Sequence, residues 1–320
     1  MGKEVFNYDI LILGGGPAGL SAGIYAARGA VKTAIVDISM FGGQPSNYLE
    51  LENYPGFSLV GGYDLMEKFE EHVDKFGVDK FPMEEIKSID LEGEIKTIET
   101  IERVFKTKTV IIATGAQPKK LGIPGEKEFL SRGVSYCAVC DGAFYKDKVV
   151  AVVGGGNAAV EEAMYLTKFA SKVYLIHRRD ELRADKIVQQ RAFKCQKLEF
   201  IYDTVVEEIK GNDLVNHIII KNVKTQKLST LEVNGIFPYI GFSPNSQMYE
   251  QMLETDKTGF IKTDENLRTS QKGVWAIGDV RTTPLRQVIT AAADGAVAAC
   301  DAIKYLQMSE VEVKDFAKKS

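Results

Sequence analysis

Two cysteines separated by two residues, with a carboxylate directly after the second, are the side chains of this sequence best suited to chemistry. They are Cys137, Cys140 and Asp141, in the stretch "VSYCAVCDGAFY". Such a pair can contribute half of a zinc site, form a structural disulfide, or cycle between a dithiol and a disulfide. The rest of the sequence distinguishes these three possibilities.

The zinc and structural interpretations are both disfavoured. A structural zinc site needs four ligands, and the other cysteines, Cys195 and Cys300, have no second Cys or His at ligand spacing. A disulfide between residues this close in sequence constrains little of the unfolded chain. We therefore expect no metal site and interpret Cys137 and Cys140 as a redox-active pair. Cys195 and Cys300 lie in helical, apolar stretches and are expected to be buried and inert.

Asp141 is the candidate general acid or base. Thiol–disulfide exchange proceeds through the thiolate, so a proton must leave or join a sulfur in each exchange. A carboxylate beside the pair can carry that proton. An alternative role for Asp141, compatible with the first, is the N-cap of a short helix.

The composition is that of a globular, water-soluble protein with about two domains. The chain has 320 residues, of which 45% are hydrophobic and 26% charged, and a net charge of -4. This charge gives no basic footprint for nucleic acid or an anionic membrane, and no apolar run reaches the ~20 residues of a membrane helix. The apolar start "YDILILGGGPAG" suits a buried strand better than a signal peptide. Four cysteines do not form a secreted disulfide framework, so a reducing cytoplasm is expected.

The elements that must position these residues are indicated by an internal repeat. The segment "YDILILGGGPAGLSAGIYAARGAVKTAIVDISM" begins at Tyr8, and "KVVAVVGGGNAAVEEAMYLTKFASKVYLIHRRD" begins at Lys148. The two align without a gap as an apolar strand, a glycine turn, a helix and a second strand. Each is typical of the opening of a dinucleotide-binding Rossmann fold.

The glycines of the first copy fall where such a fold needs them. Gly14 permits a tight turn after the strand, Gly16 lets the backbone approach a pyrophosphate at a helix N-terminus, and Gly19 allows close helix–strand packing. The second copy carries Gly154, Gly156 and, in the last place, an alanine that the fingerprint tolerates.

The ends of the two second strands predict different ligands. Asp37 ends the first; a carboxylate there accepts hydrogen bonds from a ribose diol and repels a 2′-phosphate. The same place in the second copy holds His177, Arg178 and Arg179, with Arg183 four residues later. Arginine suits a phosphate. The first turn should therefore bind FAD or NAD, and the second NADPH.

Two similar strand endings, "ATGAQP" and "IGFSPN", bracket the second copy. We interpret them as paired crossings of a two-stranded linker. The predicted fold is α/β with two Rossmann-like domains: residues 1–116 and 246–320 form the first, and residues 117–245, with the cysteine pair, are inserted into it. Short antiparallel strands are expected between the two copies of the repeat.

These motifs together resemble the low-molecular-weight, bacterial-type thioredoxin reductases over nearly the whole chain. The resemblance rests on GGGPAG, GGQ at 42–44, ENYPG at 52–56, ATGA, CxxCDG, GGGNAAVEEA, HRRDELRA, and GDV followed by RQ. Two departures are Tyr136, where a small residue is common, and Phe242, where many members have histidine.

The resemblance implies two cofactors and the residues that bind them. FAD would be held in the first domain by Gly16, Pro17, Ala18, Asp37, Gly43, Gln44, Asn53, Asp279, Arg286 and Gln287. NADPH would be held in the second by Gly156, Asn157, Ala158, His177, Arg178, Arg179 and Arg183.

The resemblance also implies a thioredoxin-disulfide reductase. NADPH would reduce FAD, which would reduce the Cys137–Cys140 disulfide, which would reduce oxidised thioredoxin or a similar small disulfide protein. Cys140 would face the flavin and Cys137 would be the exposed nucleophile. A cytoplasmic homodimer is implied as well. The alternative is a related flavoprotein that serves another acceptor: a glutaredoxin-like protein, a peroxidase, ferredoxin or oxygen.

Overall fold

The fold is described from a computed structural model that covers residues 3–47, 51 and 53–317, with the side chains of residues 139, 140 and 309–317 outside the description. The side chain of Cys140, a predicted catalytic residue, therefore lies outside the described part. No helix within this coverage has the length and apolar character needed to cross a bilayer.

Strands and helices alternate through most of the chain. The strands are β1 (Glu4–Leu13), β2 (Thr33–Val36), β3 (Asp79–Phe81), β4 (Ile86–Asp90), β5 (Lys96–Thr100), β6 (Arg103–Ile112), β7 (Ala116–Pro118), β8 (Val149–Gly154), β9 (Lys172–Ile176), β10 (Leu198–Ile201), β11 (Thr204–Gly211), β12 (Val215–Asn222), β13 (Leu228–Glu232), β14 (Gly235–Tyr239), β15 (Phe242–Pro244) and β16 (Val274–Ala276). The α-helices are α1 (Pro17–Arg28), α2 (Gly62–Lys75), α3 (Ala138–Asp141), α4 (Asn157–Leu166), α5 (Lys186–Ala192) and α6 (Val288–Ala317). Short 3-10 turns cover Gln44–Asn47, Gly142–Tyr145, Gln247–Tyr249 and Gly278–Val280.

The chain divides into two compact units. Unit 1 comprises Met1–Gln117 and Ser243–Ser320, and unit 2 comprises Pro118–Phe242. The chain passes between them through β7 and β15, which pair with each other as a two-stranded sheet. Phe242, one of the two departures, is the first residue of β15.

Unit 1 is built on a mixed sheet with the order β3-β2-β1-β6-β5-β4. β1 pairs in parallel with β2 and β6, while β4, β5 and β6 pair antiparallel, as expected for the stretch between the two copies of the repeat. The second half of β6 leaves β5 and pairs in parallel with β16 instead. β16 thereby places the turn Gly278–Val280 close to the carboxyl end of β6.

The core of unit 1 follows the two-residue period of β1. Ile10 and Ile12 pack with α1 and α6 on one face of the sheet, while Leu11 and Leu13 pack on the other. The helices α1 and α6 approach closely at Gly295. A Cβ there would overlap the carbonyl oxygen of Ala18 on α1.

Unit 2 has three layers. Its central sheet is parallel, with the order β10-β9-β8-β14. Val150 and Val152 of β8 pack with the α4 and α5 face, and Ala151 and Val153 pack with the antiparallel sheet of β11, β12 and β13. The continuous apolar run of β8 thus reflects burial on both faces.

The helices and strands of the structure confirm the internal repeat. α4 begins at Asn157, 140 residues after α1 begins at Pro17, and β9 ends at Ile176, 140 residues after β2 ends at Val36. The predicted α/β class with two Rossmann-like folds is confirmed.

We expect Gly295→Ala to lower the stability of unit 1. Helix propensity alone favours Ala over Gly by about 1 kcal/mol. The added Cβ would nonetheless meet Ala18, and overpacking costs roughly 1–3 kcal/mol. Chemical denaturation followed by the fluorescence of the chain's single tryptophan, Trp275 in the unit 1 core, measures the change.

The exposed Ala293 of α6 provides a control that measures the effect of helix propensity alone. Ala293→Gly removes a Cβ that meets no core, so it should lower stability by about 1 kcal/mol through propensity only. If Gly295→Ala were as stable as the parent or more so, the close helix contact would not limit this position.

Candidate active site and nucleotide-binding turns

Cys137 is disulfide-bonded and partly buried. Its backbone is held by several hydrogen bonds. The Ser135 Oγ accepts from the Cys137 N–H at 3.1 Å and donates to the Cys137 carbonyl at 3.2 Å, and that carbonyl also accepts from the Asp141 N–H at 3.1 Å. The Ala138 N–H donates to the Tyr239 hydroxyl of β14 at 2.8 Å. The cysteine segment is therefore fixed to the parallel sheet of unit 2.

Tyr136, one of the two departures, also anchors this segment. Its hydroxyl donates to Glu126 Oε1 at 2.7 Å, and the two Glu126 oxygens accept from the N–H groups of Leu121 and Gly122, also at 2.7 Å each. Glu126 is only 5% exposed. Burial and the bond to Glu126 raise the pKa of Tyr136. Tyr136, which directly precedes Cys137, thus joins the cysteine segment to a buried carboxylate.

Asp141 is the last residue of α3 and is half-buried. It also stands at the N-cap of the turn Gly142–Tyr145, but its side chain makes no capping hydrogen bond, so the capping alternative is wrong. Burial, and then the charge of Asp141, raise the pKa of Tyr145 to about 12. The carboxylate therefore lies close to Tyr145 and has no capping bond that would occupy it.

The other two cysteines are free thiols. Cys195 is half-buried and follows α5, and Cys300 is exposed on α6. The expectation of burial is wrong for Cys300, because the apolar sequence around it covers only one face of the helix. Among the described side chains, no three His, Cys, Asp or Glu residues are grouped so as to hold a metal ion.

The first glycine turn leaves the N-terminus of α1 without a side-chain cap. The helix has Pro17 in its first turn and no side-chain cap at Gly16. A Cβ on Gly43 would lie 3.0 Å from the Gly16 Cα, so the two backbones form a cradle that side chains would fill. A helix N-terminus with free N–H groups favours an anion. Ala18 is buried, and Gln44 begins the 3-10 turn after Gly43.

Asp37 lies beside this turn at the end of β2. Its Oδ2 accepts from the Gly15 N–H at 2.6 Å, and its Oδ1 accepts from the N–H and hydroxyl of Ser39 at 2.8 and 2.9 Å. The carboxylate is thus oriented by the protein's own donors. Each oxygen carries two lone pairs, so Oδ2 retains an acceptor position for a ligand hydroxyl.

The remaining predicted residues of unit 1 come from distant parts of the chain. Asn53 donates its amide N–H to Gln287 Oε1 at 2.8 Å across 234 residues of sequence. Asp279 lies in the turn Gly278–Val280, and burial is the main cause that raises its pKa to about 6. The Arg286 guanidinium lies 4.0 Å from the centre of the Phe260 ring, and its buried Nε has no partner among the described residues. This orphaned donor fits an anionic or carbonyl ligand.

The second glycine turn, in unit 2, is similarly open. A Cβ on Gly154 would lie 2.6 Å from the Cβ of Ala159, whereas a Cβ on Gly156 would meet nothing within 4 Å. α4 has no side-chain cap at Gly156. Asn157 instead bonds Asp185 twice, at 2.7 Å each, and so joins the start of α4 to the start of α5. Ala158 is exposed beside this turn.

The charged end of β9 lies against the same turn. His177 is 5% exposed and its ring occupies the space where a Gly155 Cβ would stand. Burial first, and then the charge of Arg183, lower the pKa of His177, so the ring is neutral at pH 7. Its Nε2 has no hydrogen-bond partner in the described part of the protein.

The three arginines of this stretch are exposed. The backbone of Arg183 is fixed by a hydrogen bond from its N–H to the Gly155 carbonyl at 2.6 Å. No carboxylate in the described residues forms an ion pair with Arg178, Arg179 or Arg183, although Lys224 nearby pairs with Asp180 and Asp203. Three exposed guanidinium groups beside a glycine turn fit a phosphorylated nucleotide.

Several supporting residues were missed from sequence. Glu126 and Tyr239 hold the cysteine segment, and Arg281 and Asp294 surround Asp279. None carries a recognisable motif, because each meets its partner only in the folded chain, from 10 to 101 residues away in sequence. Asp185 could have been found, since a polar residue before an apolar helix is typical of an N-cap position.

Comparison with known proteins identifies the family of this chain. A family model for pyridine nucleotide-disulphide oxidoreductases matches residues 8–295. A thioredoxin reductase from Peptoclostridium litorale is 47% identical over 94% of this chain and 97% of its own length, and one from Bacillus subtilis is 42% identical over 96% and 97%. The crystal structure of Lactococcus lactis thioredoxin reductase (FR conformation) is 46% identical, with a TM-score of 0.89 over 94% of this chain and 99% of that one.

The repeat of two glycine turns, the disulfide-bonded Cys137 and the near-complete coverage at this identity agree with one another. The chain belongs to the thioredoxin reductases of the pyridine nucleotide-disulphide oxidoreductase family.

Proposed function

We propose that this protein uses NADPH to reduce the disulfide of thioredoxin or a similar small protein, through FAD and the Cys137–Cys140 pair. The observation that carries the proposal is the disulfide at Cys137, held on the same unit as a glycine turn beside three exposed arginines. The net reaction oxidises NADPH to NADP⁺, consumes one proton and converts the partner's disulfide into two thiols.

We assign FAD to residues 1–116 and 246–320, and NADPH to residues 117–245. The boundaries of the two compact units, at Gln117 and Ser243, support this division. FAD, when bound, supplies the two-electron chemistry that links oxidation of NADPH to reduction of the disulfide. A cytoplasmic homodimer is part of the proposal and rests on the family resemblance.

Different residues of unit 1 would contact different parts of the FAD molecule. Gly14, Gly16, Pro17 and Ala18 would present the α1 N-terminus to the pyrophosphate, and Asp37 would accept from the ribose. The remaining residues would contact the rest of the cofactor: Gly43, Gln44, Asn53, Asp279, Arg286 and Gln287.

The residues of unit 2 would bind NADPH in the same way. Gly154, Gly156, Asn157 and Ala158 would form the pyrophosphate turn. His177 with Arg178, Arg179 and Arg183 would surround the 2′-phosphate, where planar guanidinium groups give charge-assisted hydrogen bonds.

The cysteines would carry out the exchange itself. The Cys137 thiolate attacks the partner's disulfide and forms a mixed disulfide, and Cys140 attacks that bond and releases the reduced partner. Asp141 would move the proton on or off a thiol in these steps. Its freedom from capping bonds supports this role.

Cys137→Ser and Cys140→Ser, made separately, are expected to abolish NADPH-dependent reduction of thioredoxin. NADPH should still bleach the flavin absorbance in both variants, because the nucleotide turns are unchanged. Cys195→Ser and Cys300→Ser are the matched controls and should turn over as the parent does. If Cys137→Ser kept its turnover with ferredoxin or oxygen while the parent ignored thioredoxin, the protein would serve another acceptor.

Arg178→Ala is expected to raise the KM for NADPH by ~10- to 100-fold, because a hydrogen bond to a charged group contributes about 1.5–3 kcal/mol. The KM for NADH should hardly change, since NADH lacks the phosphate. Reduction of the flavin by each nucleotide measures this without a partner protein. The exposed Arg132→Ala of the same unit is the control. Comparable efficiency with NADH and NADPH in the parent would contradict the arginine assignment.

Asp141→Asn is expected to slow thioredoxin reduction by ~10²-fold or more, the usual size of a general acid–base contribution. Flavin reduction by NADPH should remain near the parent rate, because Asp141 holds no part of either nucleotide turn. Rapid-mixing measurements of both half-reactions separate the two effects. Equal slowing of both half-reactions would indicate a structural defect and not a lost proton carrier.

A further inference from the structure

Asp294 of α6 holds one side of an ion pair that the proposed function does not use. Its Oδ2 accepts from Arg281 Nε at 2.7 Å and its Oδ1 accepts from Arg281 Nη2 at 2.9 Å. The same Oδ2 accepts from the backbone N–H of Gly278 at 2.9 Å. Both side chains are largely buried. A bidentate pair of this kind fixes geometry as well as charge.

This pair holds the turn that carries Asp279. Gly278 has a φ of +67°, a conformation that favours glycine, and the preceding Ile277 N–H bonds the Ile112 carbonyl of β6 at 2.9 Å. Asp294 accepts a hydrogen bond from the N–H of Gly278, the residue that precedes Asp279. Arg281 directly follows the turn on its other side. Asp279 is thus held from both ends of a three-residue turn.

The same pair reaches Arg286. Arg286 Nη2 donates to the Arg281 carbonyl at 3.5 Å, and Arg281 Nη1 donates to the Thr282 carbonyl at 2.9 Å. Phe260 covers the Arg286 guanidinium at 4.0 Å, which leaves the buried Nε as a donor without a described partner. The loop that leads to Arg286 therefore starts from the Arg281–Asp294 pair.

Two charged side chains among the described residues shift the pKa of Asp279. Burial raises its pKa to about 6, Arg286 opposes this rise, and Asp294 adds to it. The neighbouring elements contribute neutral groups: α1 places Ala18 against Gly278, and β6 presents the Ile112 carbonyl to Ile277.

We propose that Asp294 and Arg281 are positioning residues of the flavin site, which hold the turn of Asp279 and the loop of Arg286 in one arrangement for FAD. This inference rests on the proposed function in taking FAD as the ligand of unit 1. It assigns a role to two residues that touch the cofactor only through Asp279 and Arg286.

α6 offers a matched control. Arg268 and Asp301 form a second bidentate pair, at 2.6 and 2.9 Å, in which Asp301 lies two helical turns after Asp294. Asp301 also accepts from Trp275 Nε1 at 3.0 Å and faces no predicted ligand residue. Its substitution tests the loss of an arginine–aspartate pair from this helix without touching the Asp279 turn.

The experiment measures how tightly the purified holoenzyme retains FAD as a function of pH, by ultrafiltration and flavin absorbance. Asp294→Asn and Arg281→Met should each weaken FAD retention by ~10-fold or more, about the effect of one charge-assisted hydrogen bond. Asp301→Asn and Arg268→Met should retain FAD as the parent does.

The pH dependence separates positioning from stability. Asp279 is neutral below its pKa and ionised above it, so retention should change across about pH 6 in the parent. Asp294→Asn removes a negative charge and frees the Arg281 cation, which should move that midpoint to lower pH. Arg281→Met leaves Asp294 unpaired, which should move it to higher pH.

Parent-like retention in both variants would overturn the proposal. Weaker retention with an unmoved midpoint would also overturn it, because it would mean that the pair only stabilises the unit. Arg281→Lys, which keeps the charge but loses the bidentate geometry, serves if Arg281→Met does not fold; it should weaken retention with little movement of the midpoint. A parent protein that binds no FAD would instead refute the proposed function.

Discussion

The approach of a helix N-terminus to the end of the first strand is the contact on which each unit depends. In unit 1, a Cβ on Gly19 would overlap the Gly14 carbonyl oxygen, so α1 can start against β1 only because that side chain is absent. In unit 2, Ala159 occupies the equivalent place and Gly154 leaves room for it. The exposed backbone that can bind a pyrophosphate results from this close packing. The ligand site and the core of each unit therefore come from one steric requirement.

The two units combine one packing arrangement with different side chains at the candidate ligand sites. The turns and helices match at a constant spacing of 140 residues, yet the side chains at the ends of β2 and β9 differ in charge. Asp37 is oriented by donors within its own unit, whereas Arg178 and Arg179 are exposed and form no ion pair among the described residues. In the proposed function, specificity would be set at one strand end, and the glycine turn would supply the binding that both nucleotides share.

Most of the fold was predictable because its signals are local. Apolar periodicity, the glycine spacing and the breakers at the ends of β6 and β14 lie within short windows of sequence. The anchors of the site were not predictable. These contacts form only when the chain folds, and the type of a residue does not predict its partner. They are the pairs Glu126 with Tyr136, Tyr239 with Ala138, and Asp294 with Gly278. The exposure of Cys300 was missed for a similar reason, since an alanine-rich helix does not show from its composition which face is covered.

The bonds that fix the cysteine segment have a consequence for the reduced protein. The hydrogen bonds that Ser135, Tyr239 and the Asp141 N–H make with the backbone around Cys137 involve no sulfur atom, and Cys140 belongs to the same short helix. Opening the disulfide should therefore release little chain entropy, and in the proposed function Cys140 would keep a high effective molarity toward Cys137. A mixed disulfide on Cys137 should then be short-lived, because the proposed resolving cysteine follows only three residues later in the same short helix.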